Sequence, residues 1–207
     1  MRTALLACGI AASSVYVAAD VLGAAQWEGY SSASQAVSEL SAIGAPSRPL
    51  VVALLTAHSV LALAFGAGVV ESAGRSRALR VAGWLLVGIG VVDVVALLFP
   101  MHRREAGETL TDAMHVVVTG ATVLLIVSAV GFGAAAFGKL FRCYSAATVL
   151  SLLVFGAMAG TRGDEIAAGE PTPWLGVYER IDIGGYLLWM AVLAVVVLRV
   201  HGTPPDL

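Results

Sequence analysis

The chain has 207 residues, of which 58% are hydrophobic and only 13% charged, with a mean hydropathy of +0.87. Soluble domains are closer to a quarter charged, so this is the composition of a membrane protein. The net charge of −2 supplies no basic face for nucleic acid, and two cysteines, Cys8 and Cys143, leave no disulfide framework and no CxxC metal or redox motif.

Six apolar runs are long enough to cross about 30 Å of hydrocarbon at ~1.5 Å per residue. The first covers 4–24. It begins with Leu5-Leu6-Ala7-Cys8, which loosely resembles a lipoprotein cleavage site, but too few residues precede the cysteine to form an apolar signal core, so it reads as a retained helix. Ser13, Tyr16 and Asp20 fall on one face of it. The next stretch, 30–40, has small and apolar residues at the spacing of a short amphipathic helix, includes Glu39, and ends before Gly44-Ala45-Pro46. The second run, 50–70, contains His58. The third, 79–99, contains Asp93 and stops at Phe99-Pro100, where proline discourages helix continuation. The fourth, 114–137, follows a Thr111-Asp112 cap and aligns His115, Thr119 and Thr122. The fifth, 143–161, aligns Tyr144, Thr148, Ser151 and Met158 with Arg162 beyond its end. The sixth, 177–199, repeats Glu179, Asp182, Tyr186 and Trp189 every three or four residues. The expected architecture is one all-α domain, 1–207, forming an integral membrane bundle of six transmembrane helices with a short amphipathic helix in the first outer connection.

The arginine and lysine distribution places both termini in the cytoplasm. That orientation puts Arg2, Arg75, Arg77, Arg80, Lys139, Arg142 and Arg199 inside, while the outer segments hold most of the acids. The expected location is the cell inner (plasma) membrane. Trp27, Trp174 and Tyr178 fall where aromatic anchors meet headgroups. No internal repeat suggests a duplicated transporter, and no lysine within the runs offers a retinal-type Schiff base.

An ionisable group in hydrocarbon costs at least about 2.5–3.5 kcal/mol and by default marks a cavity or an ion path. Asp20, His58 and Asp93 are such groups. With Glu39, His115, Arg162, Glu179 and Arg180 they outline a polar pocket opening outward. Burial favours the neutral form of a carboxyl, which makes Asp93 a candidate acid, with Asp20 or Glu39 as second carboxylate and His58 or His115 as proton partner. Arg162, Glu179, Arg180, Tyr186 and Trp189 are the candidate substrate-binding residues. The competing reading is that polar side chains only join helices, which is favoured for Ser13, Thr119, Thr122, Thr148 and Ser151. His58, His115 and an aspartate would make three zinc ligands, but no HxxxH or HExxH motif supports a metal, and no cofactor is expected.

The segments Ser38-Glu39-Leu40 through Gly44-Ala45-Pro46, Phe99-Pro100-Met101-His102, Asp112-Ala113-Met114-His115 and Glu179-Arg180-Ile181 resemble, in that order, a family of bacterial membrane proteins, the domain-of-unknown-function family numbered 998. The resemblance implies a small multi-span inner-membrane protein. The matching positions are Ser38, Glu39, Gly44, Pro46, Pro100, His115, Glu179 and Arg180, whereas His102 stands where many relatives carry an acid. His58 and Asp93 also mimic part of the pattern of alkaline ceramidase and adiponectin-receptor type hydrolases, but Leu54 occupies the serine position and no later histidine pair follows.

The resulting expectation is a membrane protein that binds a membrane lipid or hydrophobic small molecule, lipid-like or isoprenoid, and converts it by acid–base chemistry of a cyclase, isomerase or hydrolase type. The alternatives are a small proton-coupled transporter or channel-like component, and a structural or regulatory subunit. Nucleic acid is not an expected partner, and homo-oligomerisation is left open.

Overall fold

The computed structural model describes residues 1–104 and 109–202. Its long helices are α1 (Arg2–Gln26), α2 (Arg48–Ser72), α3 (Arg77–Ala96), α4 (Leu110–Ala136), α5 (Lys139–Gly160) and α7 (Leu175–Gly202), with a short α6 (Gly163–Ala167) between the last two. The six long helices, α5 extended by α6, are each long and apolar enough to cross a membrane. The protein is therefore an all-helical, multi-pass membrane protein. Neighbours pack in the order α1, α2, α3, α4, α5, α7, and α7 returns to α1, closing a ring. The start of α1 and the end of α7 lie at one end of this ring, called here the terminal end. The connections 27–47 and 161–174, with the described residues 97–104 and 109 of the one between α3 and α4, gather at the other, the loop end.

Glycines set the spacing between helices. A Cβ on Gly66 of α2 would lie 2.7 Å from the Val87 nitrogen of α3, and one on Gly83 would lie 2.8 Å from the Val70 nitrogen. In lipid, where apolar burial gives helices little reason to associate, such close backbone approach supplies the packing contacts. Gly68 does the same for α1, meeting Leu5, and Gly133 of α4 receives the Trp189 ring of α7.

The terminal half of the ring is filled. Phe65, Leu86, Val130, Trp189, Met190 and Leu193 are all essentially inaccessible there. The Trp189 indole N–H donates to Ser145 Oγ at 2.9 Å, satisfying its polar atom inside the packed core.

Local chemistry moves several helix ends. The third helix stops at Ala96 rather than Phe99, and the fourth starts at Leu110, earlier than the apolar run alone indicates. Thr109, not Thr111, precedes it, and the Asp112 carboxylate accepts the Thr109 N–H at 2.9 Å. The amphipathic helix expected over 30–40 is instead a turn followed by a 3-10 helix, Val37–Ser41. Ala36 is extended, and its N–H goes to the Glu39 carboxylate at 2.9 Å rather than to a helical carbonyl. Gly44, with φ of +86°, then turns the chain toward α2, a conformation that favours glycine. Ile43 N–H donates to the Met101 carbonyl at 2.9 Å, tying the first outer connection to the second.

Candidate functional site

The loop half of the ring is hollow. A cavity of about 610 Å³ lies among all six long helices and beneath the loop-end connections. Its deeper wall is apolar, formed by residues such as Ile89, Ile126, Leu152 and Leu187. Polar groups enter that wall at a few points; the Asp112 carboxylate accepts from the His102 N–H and the Thr109 hydroxyl, each at 2.6 Å, and three further sets are distinguished by what they touch.

The first set is a clamp across α1 and α7. Arg180 donates through Nε to Asp20 Oδ2 at 3.0 Å and through Nη2 to Asp20 Oδ1 at 2.6 Å. Its remaining donors reach the Ser32 carbonyl, the Gly176 carbonyl and Tyr30 Oη. Tyr30 in turn donates to the Ala36 carbonyl at 2.9 Å, and burial pushes its phenol up to about 12. The hydroxyl therefore keeps the proton it donates.

The second set is a clamp across the connections. Glu39 is only 2% exposed and receives Arg104 Nη2 at 2.6 Å and Nε at 3.1 Å. Arg104 also holds the Glu170 carbonyl and Thr172 Oγ1, and Thr172 donates to the Ser34 carbonyl at 2.6 Å. One guanidinium thus joins all three loop-end connections. Planar bidentate pairing of this kind suits arginine and would not survive replacement by lysine.

The third set faces the cavity without an arginine. His58 is 5% exposed. Its Nδ1 lies 3.0 Å from the Ala12 carbonyl, which can only accept, so Nδ1 carries a proton and, in the neutral imidazole, Nε2 presents a lone pair. Nε2 lies 3.8 Å from Asp93 Oδ2, an electrostatic contact too long for a hydrogen bond. The Tyr16 ring packs edge-on against the imidazole, with centroids 5.1 Å apart. Asp182 and Glu179 line the same cavity, Asp182 against Gly156 and Glu179 accepting the Val37 N–H at 2.6 Å.

The sequence-predicted residues are thereby sorted. Asp93 and His58 meet; Asp20 meets Arg180; Glu39 meets Arg104. His115 lines the cavity, but its Nδ1 is held by the Phe99 carbonyl at the end of α3, 3.1 Å away. Tyr186 is a cavity wall residue. Two others lie outside the cavity lining. Trp189 is 0% exposed and packs against Gly133, its large ring filling the gap that glycine leaves. Arg162 pairs with Glu165, three residues on, at 2.9 Å. Arg104 was missed: it follows the third span in a connection with no periodicity, and its only sequence signal is a charge beside a buried acid's complement.

Among the described residues no group of three His, Cys, Asp or Glu side chains converges as metal ligands. No curated protein and no solved structure matches the chain. Residues 10–196, which include residues of every helix of the ring and all the polar side chains described above, match the family described as protein of unknown function (DUF998), and the chain belongs to that family.

Proposed function

We propose that the protein binds a lipid-like or isoprenoid molecule in the loop-half cavity and acts on it by acid–base chemistry centred on His58 and Asp93. The observation that carries this reading is the pair itself: a fixed imidazole lone pair and a carboxylate facing apolar space of about 610 Å³. A pocket of that size is in the range that takes a drug-sized ligand. Its apolar walls favour an apolar occupant.

In this reading His58 Nε2 is the base, since the Ala12 carbonyl locks the tautomer that presents its lone pair. Asp93 orients the donor that gives up the proton and balances the imidazolium that results. The Arg180–Asp20 and Arg104–Glu39 clamps have no share in the chemistry; they hold the loop end in place above it. The orientation follows from the basic terminal-end connections: the protein lies in the plasma membrane with both termini cytoplasmic and the cavity on the outer half.

The test is mass spectrometry of small molecules that co-purify with the wild type and with Asp93→Asn. A hydrophobic molecule retained by wild type and depleted from the variant, at matched thermal stability, supports the proposal. Identical extracts from both would overturn it. Proton-dependent flux into liposomes, with no product formed by the purified protein, would replace the enzyme reading with transport.

A further inference from the structure

We infer that the cavity selects an amphiphile whose head is a protonated amine, seated between His58 Nε2 and Asp93 with its chain along the apolar wall. This deepens the reading above and rests on it. The inference comes from what the cavity's polar atoms lack.

Each loop-end arginine has at least one partner. Arg180 is held by Asp20, Tyr30 and two carbonyls. Arg104 is held by Glu39, Thr172 and the Glu170 carbonyl. Arg162 pairs with Glu165, Arg48 donates to the Ser41 carbonyl, and Arg103 lies over the Trp27 ring. A phosphate or carboxylate head seated at His58 and Asp93 would therefore meet acceptors, because the arginines that line the cavity, Arg48, Arg103 and Arg104, lie at its loop end and have partners there.

The acceptors are in the opposite condition. Among the described residues no arginine or lysine pairs with Asp93, Glu179 or Asp182, and only Glu179 has a backbone donor. His58, more than nine-tenths buried, contributes a further acceptor, because its only N–H is used on Ala12. With Asp93 ionised and His58 neutral, Nε2 and Asp93 Oδ2 face each other at 3.8 Å as two acceptors, and no other side chain among the described residues donates between them. An imidazole lone pair and a carboxylate oxygen repel unless a donor serves both. An ammonium group has three N–H donors and no acceptor, and it carries the charge that the surrounding carboxylates lack. A hydroxyl could satisfy only one of the two acceptors.

The experiment uses the purified full chain in phosphatidylcholine nanodiscs, titrated with decylamine, decanol, decyl phosphate and decyltrimethylammonium, with the rise in Tm as the readout. Decylamine should stabilise the wild type at the lowest concentration. Decyltrimethylammonium, which has the charge but no N–H, should be weaker. The decylamine affinity should fall about tenfold or more in Asp93→Asn, as expected for a lost hydrogen bond to a charged group. His58→Phe, checked for helical content and monodispersity, carries the same test if Asp93→Asn does not fold.

If decanol or decyl phosphate binds as tightly as decylamine, or if decylamine binds all variants equally, the head-group inference fails while the cavity reading stands. If none of the four shifts Tm and nothing co-purifies with the wild type, the cavity reading fails with it.

Discussion

The Glu39 carboxylate accepts four hydrogen bonds, two from Arg104 and one each from Gln35 and the Ala36 amide. That is close to the full acceptor capacity of a carboxylate, which is how a charged group remains buried at 2% exposure. Replacing it with glutamine turns an acceptor oxygen into a donor amide facing Arg104 and leaves the guanidinium unbalanced. Glu39→Gln is therefore expected to lose about 3–5 kcal/mol, read as a lowered midpoint of denaturation in detergent. An unchanged midpoint would mean that the clamp does not hold the loop end. Asp93 contrasts with it, having no protein hydrogen bond to lose. Sequence alone marks both as acids in apolar surroundings, and the difference between them lies in whether an arginine from a distant connection arrives. Helical spacing could place Asp93 and His58 on inward faces, but only the rotation of α2 against α3 brings them within 3.8 Å.

That rotation is set by glycines. Gly66 and Gly83 touch the partner helix's backbone, so a methyl group there has nowhere to go without separating α2 from α3. Gly120 and Gly131 of α4 have nothing within 4 Å of where a Cβ would be. Gly83→Ala should cost about 1–3 kcal/mol by overpacking, whereas Gly120→Ala should be neutral or gain up to about 1 kcal/mol in helix propensity. Paired denaturation curves for the two variants check this, and equal effects would show that close approach is not what joins α2 to α3. At this scale the six spans were legible because twenty apolar residues have few alternatives in a bilayer. The connections were less so. The segment 30–40 carries an amphipathic pattern, yet its own Tyr30 hydroxyl and Glu39 carboxylate take up the Ala36 carbonyl and N–H, and the Arg104 guanidinium that fixes Glu39 comes from a distant connection.

Over the whole molecule, the ring divides into a packed terminal half and a hollow loop half, and the direction in which the hollow faces decides which side of the membrane it serves. Single cysteines placed in a chain lacking Cys8 and Cys143 can report it. Gly138 and Gly163 lie at opposite ends, and neither has a neighbour that a side chain would disturb. Gly163→Cys should react with a membrane-impermeant maleimide in intact cells, and Gly138→Cys only after permeabilisation. The reverse pattern would turn the cavity toward the cytoplasm. Charge counting yields only a modest arginine majority, because the loop end also carries arginines, two of which, Arg104 and Arg180, are held in the clamps by their acids.

Ring closure by α7 against α1 has one more consequence. A closed circuit of helices has no first member, so the order of neighbours does not depend on where the chain is cut. A circularly permuted chain, joined from α7 to α1 and opened between α2 and α3 at 73–76, would retain every helix pair and both clamps. Such a permutant would separate what the architecture requires from what the order of synthesis contributes.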